Sequence, residues 1–201
     1  MRMTFTSLAG AVAIGGLLLA SAPGALAQTM SPTMNMAPAA APAGQPTPAA
    51  LAAAATVPST KAFIETAAAA NQFEIVTSQV ALQNSKNRKV RAFARKMISD
   101  HTKIGKGFVA ALGKANAGIT PPAGMGADFD AILARLKSEK GAAFDADYIA
   151  VQTKGHQDAV GLFAGYAKGG DNPVLQAFAK KTLPTIQMHL DMCYALAKPK
   201  A

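Results

Sequence analysis

The chain contains three histidines, and a helical reading of the sequence puts each on the apolar seam of a different long helix. They are His101, His156 and His189, and Glu74 takes the same kind of position on the remaining long helix. Burying an ionisable group without a partner is costly, so such residues are paired, hydrogen-bonded or metal-bound. Imidazole nitrogens with one carboxylate suit a single Zn²⁺, Fe²⁺ or Cu²⁺ ion. Soft donors stand close by in sequence. Met97 precedes His101 by one turn, Met192 and Cys193 follow His189 by one turn, and Met30, Met34 and Met36 lie nearer the N-terminus. As ligands, thioether and thiol would favour copper, Cu(I) above all; as core residues, methionines fill packing gaps. The alternative for the four seam residues is a hydrogen-bonded Glu/His layer that fixes helix register.

Long helices are required to bring these residues together. The sequence predicts helices over 60–84, 88–115, 141–168 and 173–197, with a short one over 127–137. Ser59, Asn87 and Asn172 are cap residues, Pro173 suits a first helical position, and Gly118 with Pro121-Pro122 and Gly169-Gly170 are stops. The seams follow the alternating spacing of four and three expected of packed helices. Phe63, Ala67, Ala70, Glu74, Thr77 and Ala81 form the first; Val90, Ala94, Met97, His101, Ile104 and Phe108 form the second. The third is Asp145, Ile149, Gln152, His156, Ala159 and Phe163, and the fourth is Leu175, Ala179, Thr182, Ile186, His189 and Cys193. No β-alternating run appears, so the expected fold is an all-α antiparallel four-helix bundle with one short extra helix in its crossover. Pro184 is expected to kink the last helix. Counting helical rise, Glu74 and His101 lie roughly 18 and 22 Å from their shared turn, and His156 and His189 roughly 21 and 28 Å from theirs. All four therefore fall in the middle third of the bundle.

The N-terminus predicts export. Arg2 precedes an uncharged apolar stretch over 8–20, and Ala25-Leu26-Ala27 stands before Gln28 as a cleavage signal, giving a signal peptide over 1–27. Residues 28–59 are rich in Ala, Pro, Thr, Ser and Met and read as a disordered tether, leaving 60–198 as the folded domain. No stretch is long and apolar enough for a membrane span. The single cysteine, Cys193, makes no intramolecular disulfide, so the domain is held by core packing. Residues 86–114 hold nine basic residues against Asp100 alone, which concentrates the net positive charge that remains without Arg2 on one helix. Such a face suits anionic envelope lipids or lipopolysaccharide. Nucleic acid is not expected, since no aromatic residues are interleaved for base stacking.

Several stretches resemble one bacterial exported family. They are Ala69-Ala70-Asn71-Gln72-Phe73-Glu74, Phe93-Ala94-Arg95-Lys96-Met97-Ile98-Ser99-Asp100-His101, Phe144-Asp145-Ala146-Asp147-Tyr148, and the segment 178–190 with Leu183-Pro184 and His189-Leu190. The family is domain of unknown function 4142, grouped with ferritin-like four-helix folds. The resemblance implies that fold, with polar core positions at Glu74, Asp100-His101, Asp145, Tyr148, His156 and His189. A carboxylate-bridged di-iron centre is disfavoured, because ferritin-like di-iron sites need Glu-x-x-His on two helices and none occurs here. Asp145 lies about 16 Å along the helix from His156, too far to share an ion with it. The chain has no Gly-rich phosphate loop and no Ser nucleophile elbow, and Cys193 reads as a small core residue. Two roles follow as expectations. One is an exported ferritin-like protein binding a metal ion or small ligand at Glu74, His101, His156 and His189. The other is a structural or stress-related envelope protein acting through the basic helix. An enzyme would require an open metal position or a substrate cavity.

Overall fold

The structure is a computed structural model that describes residues 43–198. The predicted signal peptide and Met30, Met34 and Met36 lie outside the described residues. Six helices follow in order: α1 Pro48–Ala54, α2 Thr60–Asn84, α3 Arg88–Ala115, α4 Ala127–Ser138, α5 Gly141–Gly169 and α6 Pro173–Ala197. No strand occurs among the described residues. Each long helix starts where a polar side chain can satisfy the free N–H groups of its first turn. Ser59 Oγ accepts from the Ala62 N–H at 3.2 Å, and Asn87 Oδ1 accepts from the Lys89 N–H at 3.0 Å. Asn172 Oδ1 accepts from both Val174 and Leu175 at 3.2 Å, with Pro173 in the first position. Helix α3 ends at Asn116, whose backbone is left-handed (φ 47°, ψ 36°).

Three-residue connections, 85–87 and 170–172, turn the chain back between α2 and α3 and between α5 and α6. Helix α2 packs on α3 and α5, and α6 packs on the same two, so the long helices close a ring α2–α3–α6–α5. Helix α4 lies against α2, where Phe129 stacks on Phe73 at 4.5 Å. The Asn84 amide donates to the Leu136 and Glu139 carbonyls at 3.2 and 2.9 Å, satisfying carbonyls at the C-terminal end of α4. Pro184 removes one backbone donor, yet α6 continues through it as one helix.

Two apolar clusters fill the interior. Phe63, Phe108, Phe163, Tyr166, Leu175 and Ile186 dominate one; Val90, Phe93, Met97, Phe144, Tyr148 and Cys193 belong to the other. On α2, α3 and α5 buried polar residues fall between the two clusters in the chain: Glu74, Thr77 and Ser78 on α2, His101 on α3, Gln152 and His156 on α5. On α6, His189 lies four residues before Cys193 of the second cluster. The apolar clusters thus clamp a polar layer from both sides, and the layer is the candidate site.

Two sequence expectations are corrected. The stretch read as tether over 28–59 contains α1, whose Leu51 and Ala52 pack on the first apolar cluster. Its start signal was present: Thr47 Oγ1 accepts from the Ala50 N–H at 3.1 Å, and Pro48 follows the cap. The chain then lies close against α5, where a Cβ at Gly165 would fall 1.8 Å from the Thr56 carbonyl oxygen. Alanine-rich composition suggests too little apolar surface for packing, but Leu51 and Ala52 dock on the core and Gly165 lets the chain at Thr56 come close. On α5 the buried face begins Phe144, Tyr148, Gln152, His156, so the seam drawn through Asp145 and Ile149 was one residue off at that end. Both of those residues are half-buried.

Candidate metal centre

The ring brings three of the four seam residues to one place. His101, His156 and His189 each offer a ring nitrogen, and these nitrogens all lie within 4.8 Å of one another in a buried position. Ring centroids are 5.3 to 5.8 Å apart across the three pairs.

Each imidazole is fixed by its other nitrogen. His156 Nδ1 is 2.9 Å from the Gln152 carbonyl oxygen, which can only accept, so the proton is on Nδ1. His101 Nδ1–H donates to Asn71 Oδ1 of α2 at 3.1 Å. His189 Nε2–H donates to Asp100 Oδ2 of α3 at 3.0 Å. One carbonyl, one amide and one carboxylate therefore draw all three N–H groups outward. The remaining atoms, His101 Nε2, His156 Nε2 and His189 Nδ1, keep their lone pairs, and no protein donor meets any of them. Three buried acceptors without a donor are destabilising by about 1–3 kcal/mol each. A cation held there would meet the lone pairs that the protein's own hydrogen bonds leave unpaired. Metal-bound histidines are held in this way, by an outward N–H bonded to carboxylate or carbonyl.

The protonation states agree. Burial pushes His101 well below the ordinary imidazole range, with the neighbouring His156 and His189 adding to the effect. Burial also lowers His189 to about 4, against the opposing pull of Asp100. Both rings are therefore neutral at pH 7, as metal ligands must be. Asp100 stays ionised, held well below the usual carboxylate range first by the His189 hydrogen bond, then by Lys96 against the cost of its partial burial. Lys96 Nζ donates to Asp100 Oδ2 at 2.8 Å, so the carboxylate is itself anchored.

Glu74 is placed differently from the expectation that it would share the ion. Its Oε1 stands 4.0 Å from His156 Nδ1, the outward nitrogen, so it lies behind the ring rather than with the converging atoms. Its pKa is raised by burial, with His156 and Gln152 pulling the other way. Gly155 makes room for it, since a Cβ there would sit 3.3 Å from Glu74 Oε1. Cys193 also stands apart from the three nitrogens, in the second apolar cluster with Met97, and burial raises its thiol pKa well above the ordinary value. Tyr148 bonds to Ser78 Oγ of α2 at 2.8 Å rather than to Asp145.

A cavity of about 160 Å³ adjoins the centre. His101, His156, Glu74 and Asn71 are among its polar lining, while Phe73, Ile104, Phe108, Phe163 and Phe178 make most of its wall apolar. Residues 45–196 match the family described as Domain of unknown function (DUF4142). The chain belongs to that family. The DUF4142 domain thus takes in α1 as well as the long helices, which agrees with α1 being packed on the core. No curated protein and no solved structure matches the chain.

The resemblance implies Asp100 only as a polar core position, and the roles of Asn71 and Asp100 in orienting the rings are not read from the sequence. Asn71 lies one turn before Glu74 on α2, and its role depends on a contact between helices. Asp100 carried a clearer signal as the lone acid in the basic stretch 86–114, adjacent to His101. Its partner proved to be the histidine of another helix.

Proposed function

We propose that this DUF4142 chain is an exported, ferritin-like antiparallel four-helix bundle that holds a single Zn, Fe or Cu ion between His101 Nε2, His156 Nε2 and His189 Nδ1. The observation that carries the reading is the outward commitment of all three N–H groups, which leaves three lone pairs converging in a buried space. A purely hydrogen-bonded Glu/His layer needs donors between the rings, and these tautomers supply none. Three imidazoles fill three positions of a four-coordinate ion and leave the fourth open. Metal–nitrogen bonds of about 2.0–2.1 Å in a tetrahedral site place ligand nitrogens roughly 3.4 Å apart, so the rings close slightly on binding. Glu74 acts from behind His156 as a nearby carboxyl group rather than as a ligand. Export follows from the sequence signals over 1–27 and places the centre in an oxidising compartment.

The test is metal analysis of tag-free protein, followed by titration with Zn²⁺, Cu²⁺ and Fe²⁺ while following thermal unfolding. The expected outcome is about one equivalent bound, with stabilisation growing as the logarithm of free metal. Metal content below about a tenth of an equivalent and an unchanged Tm with all three ions would overturn the reading.

A second reading concerns the surface of α3. At 3.6 residues per turn, its basic residues from Arg88 to Lys114 fall within about 160° of arc, opposite His101 and Phe108. Lys103 and Lys114 line a groove that Lys181 of α6 also borders, with no acidic residue among its lining. This face suits anionic envelope lipids or lipopolysaccharide, and vesicle binding that weakens with salt is the expected result. Binding that is absent or indifferent to salt counts against it. Among the described residues no helix is long and apolar enough to cross a membrane, so attachment by the described part would be peripheral.

A further inference from the structure

The cavity beside the histidines leaves room for a small molecule next to the centre. We infer that the open coordination position accepts a compact monoanion with an apolar body, up to about the size of one aromatic ring, seated in the cavity between α2, α3, α5 and α6. The inference rests on the three-histidine reading and adds the class of molecule that reaches the ion.

Position comes first. His101 and His156 line both the centre and the cavity, so an ion bound to their Nε2 atoms sits at the cavity wall. His189 is absent from the cavity lining and closes the centre from α6. Size is next. The cavity measures about 160 Å³, and an apolar protein cavity of about 150 Å³ accommodates benzene. Its shape is held by aromatic packing: Phe178 meets Phe108 at 5.4 Å and Phe163 at 6.1 Å between ring centroids. These rings favour a hydrophobic body, and small residues, Ala70 and Ala159, leave the space between them.

Charge sets the donor. Three neutral imidazoles contribute nothing against a divalent ion. Asp100 is already engaged by Lys96, with Lys103 Nζ 3.9 Å from its other oxygen. Glu74 supplies at most one negative charge, so at least one positive charge stays uncompensated in a buried space. A single anionic donor at the one open position offsets that charge, and with Glu74 ionised a dianion would overshoot.

The experiment uses the full chain loaded with Co²⁺, whose visible absorption reports both the coordination number and the donor set. Benzoate is the probe and acetate the control that lacks the apolar body. The expected result is a cobalt band that shifts saturably with benzoate, at concentrations roughly tenfold or more below those acetate requires. Ala159→Phe, which fills the cavity, should keep the cobalt band and lose the benzoate shift; Ala70→Leu is the milder variant should Ala159→Phe fail to fold. A cobalt band that benzoate leaves unchanged, or that benzoate and acetate move equally, overturns the inference and leaves the metal reading intact. So does a benzoate shift undiminished in a folded cavity-filling variant. Failure to bind Co²⁺ at all overturns the metal reading and this inference with it.

Discussion

His189 on α6 donates its Nε2–H to Asp100 Oδ2 on α3 at 3.0 Å, and Asp100 is held in turn by Lys96 Nζ at 2.8 Å. This chain of contacts selects the tautomer that leaves His189 Nδ1 facing the other two rings. It also explains an acid in a segment otherwise entirely basic. Replacing Asp100 by Ala removes both the orientation and the charge that favours an electron-rich imidazole. Metal affinity should fall by about 10–100-fold, with one equivalent still bound at saturation. Asp100→Asn keeps an acceptor oxygen without the charge and should fall between. Competition with a chelator of known affinity measures all three proteins, and equal affinity for Asp100→Ala and the parent would refute the assignment.

The apo protein should lose stability as pH falls through the mildly acidic range. His189 has an ordinary pKa of 6.5 and a folded value of about 4, and His101 is lowered as well, in both cases first by burial. The unfolded chain therefore binds more protons than the folded one between these values. For His189 the stability of the neutral ring is complete above pH 6.5, declines from there to about 4, and levels off below. For His189 alone the change is on the order of 3 kcal/mol. Glu74 works in the opposite direction, because burial raises its pKa from 4.5 and its ionisation penalises the folded state as pH rises. Glu74→Gln should therefore steepen the pH dependence. Urea unfolding at pH 5 and 7 in the presence of chelator gives the slopes, and a flat profile for both proteins would contradict the burial of neutral rings.

How much of this was legible in the sequence follows from the range of each interaction. Helix limits depend on local caps, and Ser59, Asn87 and Asn172 placed three helix starts correctly. The height of His101, His156 and His189 depends only on rise per residue, so their common level in the middle third was visible, but not whether their ring nitrogens meet. Whether Glu74 reaches the same point depends on side-chain direction across the ring, and the structure puts it behind His156. The α5 seam failed at its N-terminal end for a related reason. Asp145 and Phe144 are neighbours, and it is packing in the second apolar cluster, with residues of other helices, that turns Phe144 inward. Helix α1 was missed because it docks on α5, and the residues flanking it, Gln45 and Thr56, meet Gln157 and Gly165 more than 100 residues away in sequence.

Tyr148 provides a control that separates stability from the site. Its hydroxyl meets Ser78 Oγ at 2.8 Å, and both side chains are fully buried. Tyr148→Phe leaves the Ser78 hydroxyl without this partner, a loss of about 1–2 kcal/mol in unfolding free energy. Tyr148 precedes His156 by two turns, about 12 Å along the helix. Metal affinity should be unchanged, and a drop in affinity comparable to that of Asp100→Ala would place Tyr148 among the groups that orient the ligands.

Gly105 offers a variant in which stability and binding move in opposite directions. It lies one turn after His101 inside α3, where glycine is less favourable than alanine by about 1 kcal/mol. A Cβ at this position would come 2.9 Å from Asn71 Nδ2, so the bare backbone gives space to the amide that orients His101. Asn71 is only half-buried, and its amide is the far end of a flexible side chain. Gly105→Ala should therefore be accommodated by displacing Asn71, with the apo protein as stable as the parent or up to about 1 kcal/mol more so. The cost falls on His101, which loses its fixed tautomer and orientation. Metal affinity should decrease by roughly tenfold, toward the value for Asn71→Ala. Paired measurements of apo Tm and chelator-competition Kd decide the point. If Gly105→Ala raises the Tm and keeps the parent affinity, Asn71 does not orient the ligand and Gly105 has no role in the centre.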